Sequence, residues 1–437
     1  MRSPNVVFIV ADDLGYADLG CYGGRAARFG AVSPVIDSLA ADGIRFTQGY
    51  SNSPVCSPTR FALMTGRYQY RLRGAAEEPI NSRSRGSTTL GLPPEHPTLP
   101  SLLRAAGWRT ALIGKWHLGY PPHFSPLRSG YETFYGPMSG GVDYFTHCST
   151  TGAHDLFEGD KELHDSGYLT DLISQRAVQW IDKVAREPAP FFLSLHYTAP
   201  HWPWEARDDS ALAAEVRDNL FHLHGGNIHT YRRMIHHMDE GIGQVMAALQ
   251  RHGVGDDTLV IFTSDNGGER FSDNWPLVGG KMDLTEGGIR VPWVARWPRA
   301  IAPGRVSAQH CMTMDWSATV LDAAGVAAAP THPLDGVSLL AHLSGGSEFE
   351  RTLHWRMNHR GQRALRAGRW KYLRVDGHDY LFDLDADERE RANLAPREPA
   401  RLATLRDDWQ RWNATMPPIP GDATVSLGYS VKDMPQR

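Results

Sequence analysis

The sequence predicts an α/β protein: a large, mostly parallel central sheet flanked by helices, followed by a small C-terminal α+β subdomain. Three observations carry this. Short apolar runs alternate with amphipathic helical patterns through the first three quarters of the chain. Four of those runs end directly in acidic, lysine or histidine-bearing segments. The texture then changes at Gly345-Gly346-Ser347, which predicts a division into residues 1–345 and 346–437.

In chain order, Val6–Val10 is the first strand, a five-residue apolar run leading into Asp12-Asp13. Val35–Asp42 and Leu99–Ala106 fit helices, and Thr110–Ile113 fits a strand that runs into Lys115 and His117. Leu169–Val184 is helical in pattern. Phe191–Leu195 is a strand preceding His201. Tyr231–Arg251 carries Ile235, Met238, Ile242, Val245 and Leu249 at steps of three and four, one apolar stripe that Gly253 would stop. Leu259–Thr263 runs into Asp265-Asn266. Beyond the boundary, Thr352–Met357, Arg369–Val375 and Tyr380–Leu384 read as short strands and Pro396–Asn413 as a helix, with an extended tail from Pro417. Because ligands of open α/β sheets sit outside the carboxyl ends of the strands, the four charged ends should meet at one edge.

Composition narrows the function. The 437 residues carry a formal charge of −4, so there is no basic field for nucleic acid, and none is expected as a partner. No apolar run approaches the ~20 residues of a membrane span, and no membrane association is expected. The N-terminus has no long apolar leader region, which predicts a cytoplasmic protein; the alternative is a periplasmic or secreted one whose leader has been removed. Cys21, Cys56, Cys148 and Cys311 have neither zinc-ligand nor paired spacing, so reduced, mostly buried thiols are expected at Cys21, Cys148 and Cys311.

The chemistry centres on Cys56-Ser57-Pro58-Thr59-Arg60, followed by Met64-Thr65-Gly66-Arg67. A proline just inside a helix start is preorganised, and the free N–H groups there attract anions. Asp12 and Asp13, with Asp265 and Asn266, offer hard oxygen ligands suited to Ca²⁺ or Mg²⁺. Arg60, Lys115 and Lys281 are cations that would balance the acids, and His117 and His201 are candidates for proton transfer because imidazole titrates near neutrality.

These motifs resemble those of the formylglycine-dependent sulfatases of the alkaline-phosphatase superfamily. The resemblance runs through Val10–Tyr16, Cys56–Arg60, Met64–Arg67, Gly114–Gly119, Ala199–Pro203, Ser264–Gly267, Gly279–Lys281 and Glu286–Pro292, in the family's order. It implies an alkaline-phosphatase-like fold and a sulfate monoester, aryl or carbohydrate, as substrate. It also implies that Cys56 is oxidised to formylglycine by a formylglycine-generating enzyme before or during folding. Thr59 stands where many members have serine, which leaves the Cys-x-Pro-x-Arg core intact. Asp12, Asp13, Asp265, Asn266 and the modified Cys56 are implied to hold one Ca²⁺, and Arg60 and Lys115 to anchor the hydrated aldehyde. One hydroxyl of that hydrate would attack sulfur through a formylglycine-sulfate intermediate. His201 and Lys281 would serve the leaving oxygen, and His117 would take the proton whose loss expels sulfate. A phosphonate monoester or phosphodiester hydrolase on the same scaffold, and a non-catalytic sulfate-ester binding protein, are the alternatives.

Around this set, the arginines of the segment after the nucleophile helix (Arg71, Arg73, Arg83, Arg85, beside Glu77 and Glu78) are candidates for gripping an anionic substrate. Trp202, Trp204 and Trp275 are candidates for stacking on a sugar or aryl ring, and Asp143 and His147 for lining the pocket. His222, His224 and His229 lack an acidic partner at convincing spacing, so no second metal is expected there.

Overall fold

The computed structural model describes residues 3–72, 80, 82–217, 219–222 and 225–421. Arg73, Glu77, Glu78, His224, the side chain of Arg83 and the last part of the tail lie outside the described residues. Across the main sheet the strands are ordered Arg305–Ser307, Ile44–Phe46, Trp293–Arg296, Thr258–Ser264, Asn5–Ala11, Phe191–His196, Arg109–Gly114, Thr133–Gly136, Phe157–Glu158 and Lys161–Glu162. The five from Thr258–Ser264 to Thr133–Gly136 run parallel. They are the buried apolar runs expected of a sheet covered on both faces.

Strand Asn5–Ala11 shows how the two faces are filled. Its side chains alternate, so Val7, Ile9 and Ala11 join one core and Val6, Phe8 and Val10 the other. The first core includes helices Leu169–Val184 and Ile228–Arg251, whose Ile235, Met238, Ile242, Val245 and Leu249 are fully buried. The second holds Phe61, Leu63, Leu99, Leu103, Trp316 and Val320, from helices Cys56–Thr65, Leu99–Ala105 and Thr313–Ala324. The long helix starts three residues before the apolar stripe predicts, because Asn227 caps it: its Oδ1 accepts from the N–H of His229 and Thr230 at 2.9 and 3.0 Å.

A separate antiparallel sheet, Thr352–Met357, Gln362–Ala367, Trp370–Val375 and His378–Asp383, occupies the C-terminal region. Gln362–Ala367 is a strand the sequence pattern does not announce. Its residues favour helix intrinsically, and pairing with strands on both sides overrides that preference. One face buries Leu353, Trp355, Leu373 and Phe382 against Tyr50, Leu284 and Ile289 of the main unit. The other holds Leu365, Tyr372 and Leu381 under Leu405 and Trp409 of helix Pro399–Asn413.

Candidate active site

The neighbouring parallel strands Thr258–Ser264, Asn5–Ala11, Phe191–His196 and Arg109–Gly114 end side by side, and each hands on a polar residue: Asp265, Asp12, His196 with its following loop, and Lys115. Backbone bonds lace these ends together. Asp12 N–H donates to the Ala199 carbonyl (3.0 Å), Lys115 N–H to that of His196 (2.8 Å) and Asp265 N–H to that of Ala11 (3.2 Å). Gly114 makes the crossing possible: at φ +113 a Cβ there would lie 1.8 Å from the His196 carbonyl oxygen.

Cys56 opens helix Cys56–Thr65, every residue of which is buried. Pro58 sits in the first turn, where N–H groups have no intrahelical partner to lose. Thr59 clamps the chain leading in, its Oγ1 accepting from Ser53 N–H and donating to the Ser53 carbonyl, both at 3.0 Å. The departure from serine therefore keeps the hydroxyl that does this. The helix start aims Cys56 Sγ at the acids, 3.5 Å from Asp12 Oδ1 and 4.0 Å from Asp13 Oδ1.

The charges pair closely. Lys115 Nζ lies 2.5 Å from Asp12 Oδ2, and Lys281 Nζ 2.7 Å from Asp13 Oδ2. Arg60 forks onto Asp265 Oδ2 through Nε (3.0 Å) and Nη2 (2.8 Å), while its Nη1 donates to the Lys115 carbonyl at 3.2 Å. Asp265 Oδ1 accepts from the N–H of Asp13 (3.3 Å), and Asn266 Nδ2 donates to Asp13 Oδ1 (2.7 Å). Asp13 and His117 hold left-handed backbones (φ 62 and 57), a conformation costing about 1–3 kcal/mol that the surrounding bonds impose.

Burial sets the proton affinities. It pushes the Asp12 carboxyl up to about 8, helped by the charge of Asp265 and opposed by Lys115. It also holds the Cys56 thiol well above 9, although Lys115 and Lys281 oppose it. As a thiol, Cys56 stays protonated at neutral pH and is a poor nucleophile. Both imidazoles are held well below 6.5, His117 by burial and then Lys115, His201 by burial and then Lys281. In the neutral rings the outer contacts select the tautomer. His117 Nε2 lies 2.5 Å from the Ile80 carbonyl, and its Nδ1 is buried with no hydrogen-bond partner among the described residues. His201 Nδ1 meets the Trp202 carbonyl at 2.7 Å, with Nε2 3.6 Å from Asp13 Oδ2. Glycines clear the space above these rings; a Cβ on Gly140 would lie 2.4 Å from His117 Cε1.

The residues fit a hard divalent cation. Ligand atoms of Asp12, Asp13, Cys56 and His201 all lie within 4.8 Å of one another. Asn266 Oδ1 is a buried acceptor with no hydrogen-bond partner among the described residues. A carboxyl raised as far as that of Asp12 also calls for more positive charge than the lysine supplies.

All the expected site residues thus meet in one place. Others do not serve the pocket. Arg71 is held by Asp335 (2.7 and 2.8 Å), and Arg85 by Glu162 and the His154 carbonyl, so neither is free to grip a substrate. Trp204 is buried under Arg270 and Phe271, and Trp202 is packed between His201 and Phe221. Asp143 Oδ1 caps the N–H groups of Phe145 and Thr146, and His147 bonds the Gly167 carbonyl. Cys21 and Cys148 are half-buried rather than buried, and Cys311 is buried as expected. Two contributors escape sequence reasoning. His196 Nδ1 lies 3.2 Å from Arg60 Nη1, a polar end on a buried strand being the one available signal. Gln362 reaches the Lys281 loop from the C-terminal sheet, with no local signal at all.

A buried cationic and acidic pocket at the carboxyl edge of a parallel sheet, with a cysteine on a helix start, defines an enzyme that cleaves anionic esters. The chain belongs to the sulfatase family: the model of that family, Sulfatase, matches residues 4–326. It is 32% identical to mouse (Mus musculus) steryl-sulfatase over 84% of this chain and 69% of that protein. It is 31% identical to human (Homo sapiens) N-acetylgalactosamine-6-sulfatase over 81% and 68%. Among solved structures it is similar to Ps i-CgsB in complex with k-i-k-neocarrahexaose, with a TM-score of 0.82, 30% identity and 94% and 93% of the two chains covered. The protein is a sulfuric ester hydrolase on the alkaline-phosphatase-like fold. Among the described residues no helix is long and apolar enough to cross a membrane.

Proposed function

We propose that this enzyme hydrolyses the sulfate monoester of a carbohydrate or aryl alcohol, with Cys56 converted to formylglycine as the nucleophile and Ca²⁺ as the bound ion. The observation that carries the reading is the position of Cys56 Sγ, on a helix start and within 4.0 Å of both Asp12 and Asp13. The elevated proton affinity of the thiol supports conversion, since the unmodified side chain would be inert there. Asp12, Asp13, Asp265 and Asn266 would hold the ion, which supplies fixed positive charge for a sulfate group.

The chain's own residues account for the rest. Arg60 and Lys115 orient the modified side chain from one side. Lys281 supplies the standing positive charge at the leaving oxygen, because its Nζ reaches the site from the more open side. A neutral His201 donates Nδ1–H to Trp202, so it serves the leaving group only from its doubly protonated form. His117, with Nε2–H spent on Ile80 and Nδ1 without a hydrogen-bond partner among the described residues, is suited to accept the proton released when sulfate departs. Residues 1–345 would form the catalytic unit and 346–437 a supporting subdomain. Maturation would need a formylglycine-generating enzyme.

The test is the mass of the Cys56 peptide together with turnover. A loss of about 18 Da, thiol to aldehyde, with cleavage of an aryl sulfate in preference to an aryl phosphonate is the expected result. Preferred cleavage of the phosphonate would move the enzyme to phosphonate or phosphodiester hydrolysis. Full conversion without turnover of any sulfate ester would leave a binding protein.

A further inference from the structure

Beside the buried site runs a groove of about 500 Å³, within the size range of small-molecule sites. Its lining includes Arg270, Ser272, Asn274, Trp275 and Lys281. We propose that it is the subsite for the organic part of the ester, and that its occupant is a sugar ring stacked on Trp275. The assignment rests on the sulfate end being handled at Cys56.

Lys281 joins the two spaces. Its Nζ contacts Asp13 in the buried cluster, yet it also lines the groove and is 10% exposed. The other candidate residues, Asp12, Asp13, Cys56, Arg60, Lys115, His117, His201, Asp265 and Asn266, are at most 4% exposed. An ester with its sulfur against Cys56 therefore passes its bridging oxygen by Lys281 and leaves its alcohol part in the groove.

Trp275 is 61% exposed, which leaves much of its apolar ring in water. Its ring is nevertheless held. Arg389, from the segment between strand His378–Asp383 and helix Pro399–Asn413, places its Cζ 4.4 Å from the ring centroid. Asp273 Oδ1 accepts the Trp275 backbone N–H at 3.0 Å while its Oδ2 is fixed by Arg25 at 2.9 Å. The Asn274 amide bonds Gly268 N–H (3.1 Å) and the carbonyls of Gly268 (3.2 Å) and Gly279 (3.1 Å), bracing both ends of the loop. An aromatic platform fixed in advance costs little ordering on binding. Amide, hydroxyl and guanidinium groups surround it, and an apolar face with a polar rim matches a pyranose, whose C–H face stacks while its hydroxyls hydrogen-bond. A bare aryl ring would use the apolar face alone and leave the polar rim to water.

The test compares Trp275→Ala and Trp275→Phe in two settings. The first is steady-state kinetics on a panel of sulfated mono- and disaccharides and on 4-nitrophenyl sulfate. The second is calorimetric titration of the same saccharides and of inorganic sulfate into Cys56→Ser protein, where binding is read without turnover. Trp275→Ala is expected to raise KM and Kd for the preferred saccharide ester about ten-fold while kcat stays within about two-fold, and Trp275→Phe to restore most of the affinity. The affinity for inorganic sulfate, which occupies only the buried pocket, stays unchanged. Equal losses for inorganic sulfate, an unchanged saccharide Kd, or a loss confined to 4-nitrophenyl sulfate would each overturn the assignment. Saccharide binding that depends on Trp275, in a wild-type enzyme that cleaves no sulfate ester, would sink the proposed chemistry and leave the subsite standing.

Discussion

The side-chain amide of Gln362 is hydrogen-bonded to the carbonyl of Met282, with Nε2 2.8 Å from the oxygen. Its Oε1 accepts from the N–H of Leu284, also at 2.8 Å. One residue of the C-terminal sheet thus grips the loop immediately after Lys281, where Met282 takes a left-handed φ of 77. A few residues on, Lys371 of the same sheet lies 2.8 Å from both Glu286 and Glu390, fully withdrawn from water. The C-terminal sheet is therefore part of the active site's frame.

Gln362→Ala removes the grip and leaves two buried backbone groups without partners, a cost of about 1–3 kcal/mol for each unpaired group. The expected outcome is folded protein with a lower Tm and kcat reduced about ten-fold, with the affinity for inorganic sulfate less affected. Circular dichroism and steady-state kinetics on one preparation check it. Unchanged kcat at a lowered Tm would show that Lys281 needs no such support.

His201→Ala is expected to cost about 10²–10⁴-fold in kcat, the range of positioned proton transfer. The loss should be larger for alkyl than for aryl sulfates, because a poorly acidic alcohol depends more on proton donation. A series of leaving groups of graded acidity reads this as a steeper dependence of rate on leaving-group pKa. An equal loss across the series would assign His201 to binding instead.

Removing divalent ions with a chelator is expected to lower the Tm by a few degrees as well as abolish turnover, because an ion that binds only the folded chain stabilises it by mass action. Adding back Ca²⁺ should restore both, and Mg²⁺ should restore less, since the larger ion suits irregular carboxylate and amide donors better. Thermal shift at graded ion concentrations gives the comparison without any assay of activity. An unaltered Tm after complete chelation would count against the Asp12, Asp13, Asp265 and Asn266 site.

Glu205 makes a pH prediction. Burial, and then its hydrogen-bonded neighbour Asp143, raise its carboxyl from the ordinary 4.5 to about 9. Between those values the folded chain keeps a proton that the unfolded chain releases, so stability falls as pH rises through that interval. Glutamine imitates the protonated acid and can still accept from Tyr144 N–H, as Glu205 does at 3.0 Å. The Tm of Glu205→Gln relative to wild type should therefore climb steadily from pH 6 to pH 9. A constant difference across that range would show that Glu205 is ionised in the folded protein.

How legible these features are in sequence follows from their range. The convergence of Asp12, Lys115 and Asp265 can be read in advance because each ends a continuous apolar run, and parallel strands bring their carboxyl ends to one edge. Cys56 can be read because Pro58 and Arg60 mark a helix start beside it. Gln362 cannot: it lies in a strand of helix-favouring residues, and its partners are 80 positions upstream. Trp275 and Trp204 look alike in sequence, yet only the fold decides that Arg270 and Phe271 cover one and leave the other open. The short strand Trp293–Arg296 is hidden for a related reason, since its pairing with Ile44–Phe46 is a contact between distant segments.

The burial of Cys56 gives the molecule a history. Only 2% of its surface reaches water, and the helix it begins is sealed along its whole length. If Cys56 is converted to formylglycine as proposed, a second enzyme could not grip a side chain so enclosed, and oxidation would have to precede collapse of the chain around it. Molecules that folded first would take the same shape and carry an inert thiol, and later incubation with the oxidising enzyme would not rescue them short of unfolding. The specific activity of a preparation would then record how often oxidation came first during synthesis, and would say little about how well the protein has folded.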